Sequence, residues 1–568
     1  MAFTYTEDQQ KVIDARNRNV LVSAAAGSGK TAVLVERIIS MVSDREHPVN
    51  IDSLLIVTFT NAAAAEMRER ISNALHKKLE SDIENVHLQK QITLLHNAQI
   101  TTIDSFCLFL IRNHFHTIGL DPGFRIGDEG ECKLLKQDVL QELLEEQFAK
   151  EENEEFLRVV ETFAQKANEK PLEDKILQIY EFSMSFPWPE VFLQERQQDY
   201  VVENMEVFQT QAWAVMLFET IVGTLREDKL LLETAKDLCY GIDGPISYST
   251  AIESDLETIA LLCESATLEE LYGRLATVKH VALSRKKDKD VDESKKNMVK
   301  AMRDTVKEEL KSITKRFFSV SPKMAYEQMQ YSRQIMDTLL DLVLLFKEKF
   351  DQKKREKNII DFHDMEHFAL QILIREEEES GEYLPSETAL EHRKYFHEIM
   401  IDEYQDSNMV QEYLLQSISG EDEGNYNRFM VGDVKQSIYK FRLARPEIFL
   451  EKFHQYGLED AQTQRIDLHK NFRSREEVID TVNYIFYQIM GKELGNVEYD
   501  KKAALFHGAS YPERGQYKTE HDEGIEFDEG IERDEAIEFE EGIERDEAIE
   551  FEEGIELNEE IEFCGETG

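Results

Sequence analysis

Val20-Leu21-Val22-Ser23-Ala24-Ala25-Ala26-Gly27-Ser28-Gly29-Lys30-Thr31 is the stretch that decides the fold class. Val20–Val22 reads as a short apolar strand, the glycines as a turn, and Thr31–Met41 as a helix. A strand, a small-residue turn ending in Gly-Lys-Thr and a helix together make a phosphate-cradling loop, with Ala24 where the usual pattern has glycine. Small residues let backbone N–H groups approach phosphate oxygens, and the helix N-terminus adds partial positive charge. Lys30 would reach the β- and γ-phosphates and Thr31 would ligate Mg²⁺. The predicted ligand is therefore a nucleotide with Mg²⁺, held by Ala24, Ala25, Ala26, Gly27, Ser28, Gly29, Lys30 and Thr31.

Outward from the loop the rhythm continues. Leu54–Thr58 is a second buried strand, followed by an Ala-rich helix near Ala62–Leu75. This βαβα alternation predicts a parallel sheet covered by helices. From about 116 to 355, Glu, Lys, Leu and Gln dominate and apolar residues recur at helical spacing, which predicts an all-helical segment. Its Lys/Arg-rich stretch, residues 285–316, is either a phosphate-contacting surface or a solvated helix face. Strand signals return at Glu398–Ile401 and Arg428–Val431 and run into Asp402 and Asp433. An acidic pair at a strand end is often a solvated turn. Here an apolar strand leads straight into it, so Asp402 suits Mg²⁺ and Glu403 is placed to orient or deprotonate a water.

Composition narrows the class. The 568 residues include 114 acidic and 66 basic, a formal net charge of −48. The last fifty residues hold 23 acidic and 2 basic of these, as seven hexads from Asp522 to Phe563 with Ile every sixth position. Six residues match neither a heptad nor a helical face, so this tail predicts disorder or weak helix, either as an interaction tail or as low-complexity sequence without a role. Coating of DNA through global positive charge is disfavoured, while a basic groove on an acidic body is still allowed. No run of 18 apolar residues occurs and the N-terminus lacks a signal-peptide pattern, so no membrane is expected. Cys107, Cys132, Cys239, Cys263 and Cys564 form no CxxC and read as reduced thiols of a cytoplasmic protein.

Four further segments gain meaning from their order. They are Thr58-Phe59-Thr60-Asn61-Ala62-Ala63-Ala64-Ala65-Glu66-Met67, Thr101-Thr102-Ile103-Asp104-Ser105-Phe106, Gly432-Asp433-Val434-Lys435-Gln436-Ser437-Ile438-Tyr439-Lys440-Phe441-Arg442 and His469-Lys470-Asn471-Phe472-Arg473-Ser474. With the phosphate loop, Asp402-Glu403-Tyr404-Gln405-Asp406 and Thr6-Glu7-Asp8-Gln9-Gln10, this series resembles the superfamily-one helicases of the UvrD/RecB type. Asp121–Ile126 and Gly508–Glu513 resemble the AddA branch, the A-subunits of bacterial ATP-dependent helicase/nucleases. The likeness runs from about residue 4 to 513. Asp104 stands where many relatives carry His, Phe441 where Trp is frequent and Phe472 where Tyr is usual.

That resemblance implies a RecA-like motor domain from residues 1–115 and 356–455, interrupted by a helical insertion over 116–355. A partial second RecA-like domain would begin over 456–514, followed by the acidic tail, 515–568. It assigns adenine to Gln9 and Phe472, the γ-phosphate to Gln436 and Arg473, and water activation to Glu403. Phe59 and Phe441 would stack on single-stranded bases, with ordinary core packing the alternative for each ring. Thr60, Asn61, Thr102 and Arg442 would lie along the DNA backbone. The implied activity is ATP-dependent 3′→5′ DNA translocation and unwinding within a helicase/nuclease for double-strand break repair, acting on single strands and duplex ends, with AddB as the heterodimer partner. Later helicase motifs and a nuclease cluster are not legible after Glu513, so the chain reads as a C-terminally truncated AddA. A non-enzymatic nucleotide- or DNA-binding remnant, or an acidic interaction module, is the alternative. A small-molecule kinase would explain the phosphate loop but not the other segments.

Overall fold

The computed structural model describes residues 5–164, 168–286, 291–377, 381–491 and 497–509. The acidic hexads, Cys564 and the Ser510–Glu513 part of the AddA-like phrase lie outside the described residues, as does the side chain of Arg442.

Six strands build one sheet: β1 (Asn19–Ala24), β2 (Leu54–Thr58), β3 (Gln99–Thr102), β4 (Glu398–Ile401), β5 (Arg428–Gly432) and β6 (Thr463–Leu468). Their spatial order is β6-β1-β5-β4-β2-β3, and every neighbouring pair is parallel. The central strands read as continuous apolar runs because both faces are covered. On one face Val20, Val22, Ile56, Phe429 and Val431 pack with Val33, Leu34 and Ile38 of the helix Lys30–Val42. On the other, Leu21, Leu55, Ile399, Ile401 and Met430 pack with Phe106, Leu110, Leu370 and Leu414. Alternate residues of a strand thus serve two cores, and each fully buried Leu, Ile, Val or Phe contributes about 1.5–3 kcal/mol.

The segment between β3 and β4 is largely helical and has two separate cores. One joins the helix Glu129–Ala149 to the second half of the 36-residue helix Pro322–Lys357, through Leu143, Tyr180, Phe346 and Phe350. The other lies around Ile221, Leu232, Ile259 and Leu310. Arg125-Ile126 pairs in parallel with Ile359-Ile360, so entry and exit of the segment lie side by side. A long insertion with adjacent ends leaves the sheet's register undisturbed. In the Lys/Arg-rich stretch, the helix Glu293–Phe317 buries Arg303 against Asp255, and most of its other charges face solvent.

The division expected at residue 456 is corrected by the sheet. Thr463–Leu468, read as the opening of a second domain, is β6, paired with β1 from Asn19↔Thr463 to Ala24↔Leu468. Its alternating pattern, with Gln464, Ile466 and Leu468 buried, is that of an edge strand lying on an existing sheet. Beyond it, Lys470-Asn471 pairs with Phe506-His507, and the helix Glu476–Ile489 connects them. That helix buries Ile479 and leaves Val478, Tyr484, Ile485, Tyr487 and Ile489 exposed.

Candidate nucleotide site and its link to an aromatic row

Because all six strands run the same way, their C-terminal ends share one edge of the sheet. The phosphate loop and the segments beginning at Phe59, Ile103, Asp402, Asp433 and His469 all leave from that edge, where open parallel sheets bind ligands.

The loop leaves β1 at Ala24, with Ala25 N–H bonded to the Leu468 carbonyl (3.0 Å). Gly27 and Gly29 have φ of +69° and +82°, the left-handed region that glycine adopts at no steric cost. Gly27 is also pressed from outside: a Cβ there would lie 2.9 Å from Arg473 Cβ and Asn471 Cγ. The loop's outward carbonyls are each capped. Asn471 Nδ2 donates to Ala26 O (2.8 Å), Phe472 N–H to Gly27 O (2.8 Å) and Gln9 Nε2 to Ser28 O (3.0 Å). Outward carbonyls held this way leave the loop's N–H groups to its concave side.

Lys30 Nζ lies 2.8 Å from both carboxylate oxygens of Glu403. Glu403 adopts φ +50°, ψ +44°, a conformation that costs a non-glycine residue about 1–2 kcal/mol and aims its side chain at the loop. Asp402 N–H bonds Val57 O (2.9 Å), fixing the carboxylate at the end of β4. Burial, then the neighbouring Glu403 charge, push the Asp402 carboxyl up to about 6, with Lys30 opposing. Asp406 is raised to about 6 by the same two causes. Ser28 Oγ is buried without a hydrogen-bond partner, and Thr31, second in the helix, is half-exposed. An unpartnered hydroxyl in the loop beside crowded, buried carboxyls fits a polyphosphate with a divalent cation, which would offset the repulsion between Asp402 and Glu403.

Gln405 links this cluster to the next segment. Buried to 1% exposure, it donates through Nε2 to Glu403 Oε2 (2.9 Å) and Asp406 Oδ2 (3.1 Å) and accepts from Asp433 N–H (3.0 Å) through Oε1. Asp433 in turn accepts from Gln436 Nε2 (2.8 Å) and pairs with Lys435 (2.8 Å). A Cβ at Gly432 would sit 2.4 Å from Gln405 Oε1, so glycine there makes room for the link. Lys30, Glu403, Gln405, Asp433 and Gln436 form one continuous chain of contacts.

Three residues beyond Gln436, the same segment reaches a row of rings. Tyr439 lies 4.7 Å from Phe59 and 5.9 Å from Phe441, centroid to centroid. Phe59 and Tyr439 are half-buried, while Phe441 is 75% exposed and outside any core. Thr60 and Thr102 are helix N-caps, accepting from Ala63 N–H (3.1 Å) and Ser105 N–H (3.3 Å). Thr60 and Asn61 are exposed; Thr102 is buried, with its hydroxyl also donating to Ser105 Oγ (3.0 Å).

The remaining predicted residues divide. Arg473 is exposed beside the loop, and Phe472 is half-buried with its ring against Gly508, where a Cβ would come within 2.8 Å of it. Gln9 is buried with Oε1 accepting Thr6 N–H (2.9 Å) and Nε2 donating to Ser28 O (3.0 Å). Gln405, Asn471 and Tyr439 were not singled out from sequence. Each stands inside a quoted segment, and only its contacts distinguish it. A cleft of about 1090 Å³ between Trp188, Lys347, Lys354, His367 and Tyr383 is remote in composition from the loop. Its charges are satisfied internally, Lys354 by Asp364 (2.6 Å) and Lys347 by Glu190 (2.6 Å), so it is the weaker candidate.

The pattern of the UvrD/REP helicase N-terminal domain matches residues 5–457. The chain belongs to the UvrD/REP helicase family. Among curated relatives, the A-subunit of the ATP-dependent helicase/nuclease of Lachnoclostridium phytofermentans is 50% identical over 517 residues, 90% of this chain and 37% of the relative. The corresponding A-subunits from Alkaliphilus oremlandii and Clostridium beijerinckii are 45% and 43% identical over 512 residues, each covered to 41% of its length. The chain thus spans about two fifths of the length of the relatives it matches.

Proposed function

We propose that this chain carries the ATP-binding motor domain, RecA-like in type, of a helicase/nuclease A-subunit. In this reading ATP and Mg²⁺ occupy the loop, and ATP binding and hydrolysis drive 3′→5′ movement along single-stranded DNA. The carrying observation is that one short segment, Asp433–Arg442, holds both the end of the contacts running from Lys30 through Glu403 and Gln405 to Asp433 and Gln436 and, three residues on, the ring row Tyr439, Phe59 and Phe441. It joins a phosphate site to a surface on which bases of any sequence can stack.

The residues divide the work. Lys30 and the loop N–H groups hold the β- and γ-phosphates, and Thr31 and Asp402 would hold the cation, which neutralises developing phosphate charge when bound. Glu403 is placed to orient and deprotonate a water once a triphosphate draws Lys30 away from it. Gln436 would sense the γ-phosphate, Arg473 would stabilise its charge, and Phe472 and Gln9 would face adenine. Phe59, Tyr439 and Phe441 would take the bases, with Thr60, Asn61, Thr102 and Arg442 along the backbone. Double-strand break processing with an AddB-type partner, at duplex ends in the cytoplasm, is the setting we infer for that activity.

ATP hydrolysis by the purified chain, with and without single-stranded DNA and beside Lys30→Ala, tests the reading. DNA-stimulated turnover lost in the variant supports it. Nucleotide and DNA binding without turnover would make this chain a binding module rather than an engine.

A further inference from the structure

We propose that Asn471 is a positioning residue that couples the phosphate loop to Arg473. The inference rests on the reading of Arg473 as a γ-phosphate contact and goes beyond it by naming what sets that contact. Asn471 is 4% exposed and uses both ends of its carboxamide in different directions. Nδ2 donates to the Ala26 carbonyl at 2.8 Å, inside the loop. Oδ1 accepts the N–H groups of Arg473 and Ser474, each at 2.8 Å. Its own carbonyl accepts Gly508 N–H (2.9 Å), and Lys470-Asn471 pairs with Phe506-His507, so the residue is fixed from behind by a second strand. The adjacent Phe472 N–H holds Gly27 O (2.8 Å), and Gly27 has no room for a Cβ against Asn471 and Arg473.

A rotation of the Ala26-Gly27 peptide on phosphate entry therefore cannot leave Arg473 where it was. Among the described residues, the Asn471 carboxamide is the side chain bonded to both the loop carbonyl and the Arg473 backbone. Asp in its place keeps the shape and the Oδ acceptor but sets a carboxylate oxygen against the Ala26 carbonyl, so the link breaks at the loop end alone.

The test compares affinities for ADP and for a non-hydrolysable ATP analogue in the full chain. Charge-assisted contacts of the Arg473 kind are strong, so Arg473→Ala should lower the ATP-analogue preference by about tenfold. Asn471→Asp should lower it comparably while ADP affinity, which also reports folding, shifts by less than about threefold; the double variant should fall little further. Preference retained in Asn471→Asp but lost in Arg473→Ala overturns the proposal. Preference unchanged in Arg473→Ala would instead sink the reading of Arg473. A second arm needs no variant: Mg²⁺-pyrophosphate, which has neither base nor γ-phosphate, should slow amide hydrogen exchange at Arg473 and Ser474 in the wild-type chain. No change there with the loop occupied overturns the coupling, whichever way the variants behave.

Discussion

Replacing Gln405 by Leu removes the link between Glu403 and Asp433 without leaving a hole, because the two side chains are close in volume. The main loss falls on Asp433, which is 1% exposed and whose N–H would have no acceptor once Gln405 Oε1 is gone. A buried unsatisfied N–H costs about 1–3 kcal/mol. Glu403 loses one bond but keeps Lys30 and is a third exposed, so its share is at most about 1 kcal/mol. The sum is a destabilisation of roughly 1–4 kcal/mol. Gln436→Leu is the control: it removes one bond to Asp433, which keeps Lys435, and should cost about 1 kcal/mol. Urea unfolding followed by circular dichroism measures both, and unchanged slopes would license the comparison. If Gln405→Leu costs under about 0.5 kcal/mol at unchanged slope, Asp433 N–H has another partner and the chain of contacts is wrong at its centre.

Three further outcomes follow from other parts of the molecule. Tyr439→Ala should weaken binding of a single-stranded oligonucleotide by about 1–3 kcal/mol, read by fluorescence anisotropy at fixed salt; an unchanged affinity would return Tyr439 to plain packing. The Asp402 carboxyl, raised to about 6, favours the folded state when protonated, so its contribution is full below the ordinary value and is lost as pH rises through about 6. Mg²⁺ competes with that proton, so calorimetric Mg²⁺-nucleotide affinity should fall up to about tenfold per pH unit below 6, and Asp402→Asn should flatten the profile. Arg37→Met should cost about 3–5 kcal/mol by stranding Glu398, whose carboxylate lies 2.7 Å away in the core; Arg37→Met with Glu398→Leu should recover most of it, and no recovery would mean that packing on Phe429 dominates.

The central sheet was legible because its strands are buried on both faces. Leu54–Thr58 and Glu398–Ile401 are apolar runs ending in polar motifs, a pattern few other structures produce. The phosphate loop was legible for a similar reason, since Gly27 and Gly29 stand where backbone geometry demands them. β6 was misassigned because Thr463–Leu468 carries an edge strand's alternation, which says that a strand exists but not which sheet it joins. The two cores of the helical segment were illegible because helical periodicity shows an apolar face and not its partner. Gln405 and Asn471 were hidden for a different reason. Their roles lie in contacts across 28 and 445 positions, and a carboxamide looks the same in sequence whether it caps a turn or bridges two motifs.

The central claim is that the nucleotide and single-stranded DNA are read by one connected set of residues. The direct measurement is the affinity of the chain for a non-hydrolysable ATP analogue with and without a saturating oligonucleotide. Coupling of about 1–3 kcal/mol, a shift of roughly 5–150-fold, is predicted, with the analogue changing oligonucleotide affinity by the same factor. Both ligands binding with no mutual effect would contradict it: the contacts from Lys30 to Gln436 and the ring row beyond them would then be packing, and the two sites would work separately.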